Sequence, residues 1–239
     1  MKAAAIATAA FHTSLSYAKE RPQGRKLTEK DLNKPQVAII EHADVKRMLL
    51  IQKSVTEGAL ALLVYCGILS DKISYKENTH NKKEMHLLLD LLPPIDKSFP
   101  SEMGVQSTSA AIQILGGAGY TTDFPVEQYY REARIHPIHV GTTEIHGLDL
   151  LGRKVLMKDG LSWKILQKEI QKTIQEAQEV ENLGELVKAF EEKLKKFNHG
   201  AAQLLFKMNK GPEKFLADAT LFLEYCGILI MGWMWLHQA

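Results

Sequence analysis

Residues 45–69, VKRMLLIQKSVTEGALALLVYCGIL, decide the fold class. Val45, Met48, Leu49, Gln52, Val55, Ala59, Leu62, Cys66 and Leu69 recur at steps of three and four, which sets them along one stripe of an α-helix. Trp163, Leu166, Ile170, Ile174, Ala177, Leu183, Leu186, Phe190, Leu194 and Phe197 repeat the pattern, with charges on the opposite face. That second stretch is expected to form one longer helix. Strand-type alternation is nearly absent. Helices that each bury one stripe must pack on one another, so an all-α bundle is expected.

Turn chemistry marks the breaks. Pro22-Gln-Gly24 is expected to end a first helix, and the polar stretch 25–36 to form a loop. Residues 74–83 form a second polar loop, and Pro93-Pro94 opens another segment. Leu115-Gly-Gly-Ala-Gly119 is a glycine turn, because glycine alone takes positive φ without cost. Lys158-Asp-Gly160 separates the first bundle from the longer C-terminal helices, and Gly200 and Lys210-Gly-Pro212 punctuate the remainder.

The bulk numbers exclude several function classes. The chain has 239 residues, 45% hydrophobic and 24% charged, with a formal charge of +2. Such a balance supplies no electrostatic footprint for nucleic acid or a membrane surface. Cys66 and Cys226 lie far apart among apolar residues, without neighbours at metal-ligand spacing. They are expected to be buried thiols in a cytoplasmic protein. The alanine-rich run from Met1 to Ala10 has the outline of a secretory leader. Its weakly hydrophobic Ala and Thr residues continue into Tyr17-Ala-Lys-Glu-Arg21, so a helix is expected instead. Residues 219–236 have the length of a membrane span, but Glu224 lies inside them. A helix buried in protein, and no membrane span, is expected there.

Four local features follow in order. Arg21 stands at a helix end beside the Pro22-Gln-Gly24 turn. Gln113-Ile-Leu-Gly116-Gly117-Ala-Gly119-Tyr120 is a helix ending in glycines; it lacks the preceding strand and spacing of a dinucleotide fingerprint. Tyr130-Arg131-Glu-Ala-Arg134-Ile135 is a basic helical face. Val140-Gly141-Thr142-Thr143-Glu144-Ile145 is a turn that starts a helix, where free N–H groups suit anionic ligand groups.

Together these features resemble the acyl-CoA dehydrogenase family, over residues 3–155 and most specifically over 113–151. Arg21-Pro-Gln-Gly24, the loop after it and the helices beyond Gly160 resemble a subgroup with an extended C-terminus. That subgroup includes enzymes similar to 3-methylmercaptopropionyl-CoA dehydrogenase. The resemblance implies a C-terminal-type four-helix bundle over residues 1–157, followed by an additional, incomplete helical region over 158–239. It also implies that the family's N-terminal helical domain and middle β domain are missing here. In the family FAD lies partly across a subunit interface. The resemblance makes Arg21 a contact to a neighbour's pyrophosphate, Gln113, Gly116 and Gly117 contacts from the second subunit, and Thr142 a residue near the cofactor. It further implies a homo-oligomer formed through the bundle, an acyl-CoA substrate if the chain is active, and a place for a separate chain carrying the missing domains.

At the chemistry the pattern departs from the family. The reaction removes a proton α to a thioester carbonyl, which requires a general base within reach. The resemblance places that glutamate immediately before Gly-Thr, and this chain has Val140 there. A valine has no lone pair. The alternative location in some relatives, on the first helix of the domain, would precede Met1. Glu144 is the nearby carboxylate that could substitute, but it belongs to the first helical turn, where the dipole holds a carboxylate in its weakly basic charged form. His139 and His146 match no catalytic position. Pro100 also departs from a helical stretch of the family, and is expected to be tolerated only if the helix begins there. The expected function is therefore the C-terminal half of an acyl-CoA dehydrogenase-like protein, inactive alone. The alternatives are a non-catalytic helical binding or oligomerisation module, or one half of a split flavoenzyme.

Overall fold

The computed structural model describes residues 1–31, 33–75 and 80–239, and it is all-α. Among these residues there is no strand, only an isolated antiparallel bridge between Pro22 and Ala38. The helices are α1 (Lys2–Glu20), α2 (Ala43–Tyr75), α3 (His80–Leu91), α4 (Pro93–Leu115), α5 (Gly117–Tyr120), α6 (Val126–Ala133) and α7 (Thr143–Asp149). α8 (Met157–Gln178), α9 (Gly184–Phe206), α10 (Pro212–Leu216) and α11 (Ala219–Gln238) follow. Residues 76–79, in the middle of the expected 74–83 loop, and residue 32 lie outside the described residues.

The chain divides into two compact units. The first comprises Met1–Glu57 and Pro100–Pro137, the second Gly58–Phe99 and Ile138–Ala239. The expected domain boundary at 157/158 falls inside the second unit, where Lys158, Asp159 and Gly160 all have positive φ at the start of α8.

In the first unit the alanine-rich run is the buried face of α1. Ala3, Ala4, Ala7, Ala10 and Ala18 are all buried. Small side chains let neighbouring backbone come close: a Cβ added to Gly104 would lie 3.4 Å from the Ala3 carbonyl oxygen. Ala10, Phe11, Ile39, Met48, Leu49, Ala111, Ile114 and Val126 form the core that joins α1, α2, α4 and α6. Gln52, the polar member of the α2 stripe, is fully buried; its Nε2 donates to the Ser107 carbonyl at 2.8 Å, while its Oε1 has no hydrogen-bond partner among the described residues.

In the second unit α11 is a core helix. It and α2 are long and apolar enough to cross a membrane by length and composition, yet α11 buries ten residues, among them Phe222, Leu223, Ile230 and Trp233. Trp233 Nε1 donates to Thr173 Oγ1 at 2.8 Å, so the indole is buried with its polar atom satisfied. Gly227 is required by contact: an added Cβ would sit 2.1 Å from the Phe99 ring.

Three expectations need correction. The stretch 163–197 is two helices. α8 stops at Gln178 and α9 starts at Gly184, with Asn182 at φ 70 between them, a left-handed conformation that asparagine tolerates. Asn198 Nδ2 donates to Gln167 Oε1 at 3.0 Å and Gln178 Nε2 to Glu191 Oε1 at 3.5 Å, pairings that fold the two helices back as a hairpin. Gly200 lies inside α9 and ends nothing. Pro100 does not begin a helix, because α4 starts at Pro93 and runs through it. A proline in a helix interior costs about 3 kcal/mol. Burying Leu92, Ile95 and Phe99 beside it is worth about 1.5–3 kcal/mol each, so packing wins.

Asp96, in the first turn of α4, has a carboxyl oxygen sealed from solvent without a hydrogen-bond partner among the described residues. Burial pushes its pKa up. A carboxyl whose folded value exceeds its unfolded value destabilises the fold while it is charged, and the penalty disappears as pH falls through the folded value. Asp96→Asn is expected to raise stability at pH 7 by about 1 kcal/mol, read as a rise in Tm of about 2–4 °C. Below about pH 4 the two proteins should melt together; an equal gap at both pH values would contradict this account.

Candidate functional site

Arg21 is placed by the end of α1. Its backbone is extended (φ −80°, ψ 109°), its N–H donates to the Tyr17 carbonyl at 2.9 Å, and its own carbonyl accepts from Ile39 at 2.9 Å. The chain leaving the helix is thus tied to residues 37–39. The guanidinium is exposed and meets no carboxylate among the described residues. It lines a cleft of about 620 Å³ with His12, Ser16, Tyr17 and Phe124, whose two rings meet edge-on at 5.4 Å.

Gln113 and the glycines belong to the same unit. Gly116 ends α4 at φ 62°, ψ −138°, a conformation that costs any other residue heavily. A Cβ added to Gly116 or Gly117 would meet nothing within 4 Å, so bare backbone is presented to open space. Gly119 differs: an added Cβ would be 2.8 Å from Leu115 Cβ, making it a packing glycine. The Gln113 carboxamide is exposed, makes no hydrogen bond to the described residues, and lines a second cleft of about 580 Å³ with Ser109, Ile112, Tyr120, Glu127 and Tyr130. Arg21 and Gln113 therefore line different clefts, although one core positions both. The free guanidinium and the free carboxamide are donors suited to phosphate and carbonyl acceptors, each in its own cleft, while the Gly116 N–H already donates to the Ile112 carbonyl at 2.9 Å.

Val140, Thr142, Glu144 and His146 lie in the second unit. Val140 is left-handed (φ 58°) with its side chain 80% exposed, and Gly141 follows at φ 86°. Thr142 is the N-cap of α7, and its carbonyl accepts from the His146 N–H at 3.1 Å. Glu144 is exposed in the first turn, the position expected from the sequence. Two bonds hold the turn: His146 Nε2 donates to the Val140 carbonyl at 3.1 Å, and Lys97 Nζ donates to the Gly141 carbonyl. A neutral imidazole that donates through Nε2 leaves Nδ1 as its acceptor, so this bond fixes the ring's orientation. These two clamps were missed by sequence reasoning. His146, six residues on, could have been found as a loop staple; Lys97, 44 residues away, leaves no local signal.

The fold is all-α, with two exposed donor side chains in the first unit and a clamped, left-handed turn before α7 in the second. Comparisons with known proteins identify the family. Residues 80–156 match the family "Acyl-CoA dehydrogenase, C-terminal domain", and residues 166–239 match "Acetyl-CoA dehydrogenase C-terminal like". A 3-methylmercaptopropionyl-CoA dehydrogenase from Ruegeria pomeroyi is 34% identical over 96% of this chain, which spans 39% of that relative. The Caenorhabditis elegans ACDH-11 structure, in complex with C11-CoA, superposes with a TM-score of 0.80 at 18% identity over 97% of this chain and 37% of that one. An acyl-CoA dehydrogenase complexed with FAD from Bacillus anthracis gives 0.69 at 20% identity, over 96% and 39%. The chain belongs to the acyl-CoA dehydrogenase family and carries its C-terminal helical part.

A β-branched residue at positive φ carries about 1–2 kcal/mol of strain, and the exposed Val140 side chain offsets little of it by packing. Val140→Gly is expected to raise stability by about 0.5–1 kcal/mol after glycine's own entropy cost. Val140→Ala, which retains a Cβ, should gain less. A fall in Tm for the glycine variant in thermal denaturation would show that the turn is not strained.

Proposed function

We propose that this chain is the C-terminal half of an FAD-dependent acyl-CoA dehydrogenase-like protein that no longer catalyses α,β-dehydrogenation by itself. One observation carries the reading: an exposed hydrocarbon side chain, Val140, stands before Gly141-Thr142 on a turn clamped by Lys97 and His146.

When bound, FAD would supply the hydride acceptor for the β carbon of an acyl-CoA. This chain's residues would serve the cofactor as follows. Arg21 offers a forked, permanently charged donor suited to a pyrophosphate. Gln113 offers a carboxamide, and Gly116 and Gly117 offer backbone without side chains. Thr142 is a further contact at the start of α7. Removal of the α proton is the step without an agent. The Val140 side chain cannot accept it, and His146, held by Nε2 on the Val140 carbonyl, stands at no position where the family keeps its base. A positioned general base contributes about 10²–10⁴-fold to such a step.

The division at 157/158 into a bundle and an additional helical region belongs to the same proposal, as does a cytoplasmic location, supported by two free cysteines. A homo-oligomer is supported by Leu60, Val64 and Ile68, which recur every fourth residue on α2 and are all about half exposed. Light scattering of the purified chain reads this directly, and a monomeric mass would refute it.

With FAD and butyryl-CoA added under anaerobic conditions, the wild-type chain is expected to leave the flavin's visible absorbance unchanged. Bleaching by the unaided chain would overturn the proposal.

A further inference from the structure

In the second unit α9 and α11 enclose an open groove of about 810 Å³ that none of the cofactor contacts above uses. Its floor is apolar. The rings of Phe197 and Phe222 lie 5.5 Å apart and are backed by Trp163, at 5.9 and 5.8 Å respectively. Ala201, Leu204 and Leu229, buried in the helices, continue the floor. Tyr225 and Ile228 of α11 stand along it more than half exposed.

The rim is basic. Lys193 and Lys196, three apart on α9 and so on one face, are exposed without a carboxylate partner among the described residues. The third lysine, Lys207, is neutralised by Asp218 at 2.9 Å, so the surplus positive charge is confined to the Lys193 end. That is an amphipathic polarity: apolar along its length, cationic at one end.

Gly200 marks the same groove independently. It sits inside α9, where glycine is the least favourable residue after proline. A Cβ added there would meet nothing within 4 Å, so no packing contact requires it. What its missing side chain does is leave the groove open.

We infer that this groove binds a single-chain fatty carboxylate, with the alkyl tail over Phe197 and Phe222 and the carboxylate at Lys193 and Lys196. The volume falls in the range of small-molecule sites, about 300–1,000 Å³.

Calorimetric titration of the full chain with dodecanoate, below its micelle concentration, tests this against dodecanol, a neutral chain of equal length. Dodecanoate is expected to bind at one site and more tightly than dodecanol. Lys193→Gln with Lys196→Gln should weaken dodecanoate about tenfold and leave dodecanol unchanged. Gly200→Leu, which favours the helix and fills the groove, should abolish binding of both while preserving circular dichroism and Tm. Dodecanoate binding unaffected by Gly200→Leu, equal affinity for the alcohol, or an acidic amphipathic peptide that binds where dodecanoate does not would each overturn the inference.

Discussion

The backbone contact between α7 and the start of α11 governs the part of the structure that matters for function. Gly147 of α7 has no room for a methyl group: an added Cβ would lie 2.9 Å from the Ala219 carbonyl oxygen and 3.0 Å from the Thr220 nitrogen. α11 is fixed in turn by Gly227 against Phe99 and by the buried Trp233–Thr173 hydrogen bond. With α7 held this closely, the turn at its N-terminus has little freedom. His146 and Lys97 tie the Val140 and Gly141 carbonyls, and the residue-140 side chain is directed into solvent. The backbone of this turn is held firmly, and the side chain it carries at position 140 has no acid–base chemistry.

Fold class was legible because periodicity survives tertiary context. The stripe from Val45 to Leu69 appears as α2, and most of its members are buried. The turns at Pro22, Gly116 and residues 158–160 were legible from proline, which fixes φ, and from glycine, which takes positive φ. Errors arose where tertiary packing overrode local preference. Pro100 is carried inside α4 by the buried side chains around it, and Gly200 is carried inside α9. The break at Asn182 falls in the one six-residue step of the apolar series, between Ala177 and Leu183, and the pairings that close the hairpin join residues 31 and 13 apart.

Of the candidate site, the departure at Val140 was visible in the sequence because a pattern of adjacent residues needs no third dimension. The left-handed backbone at Val140 and the clamp from Lys97 were not, since both depend on contacts distant in sequence. Nor did the sequence separate Arg21 and Gln113 into different clefts. Arg21 and Gln113 keep free donors in separate clefts, and the residue before Gly141-Thr142 is an exposed valine; that combination supports the proposed family member without its proton-abstracting step.

Exchange of the thioester's α protons tests the proposed loss of proton abstraction most directly, because it reports deprotonation without requiring hydride transfer. Butyryl-CoA incubated with the FAD-supplemented chain in D2O, followed by mass spectrometry, should show no more deuterium at the α carbon than a protein-free control. Deuterium entering faster with the wild-type chain than without it would mean that a base operates in this protein, and the assignment built on Val140 would be wrong.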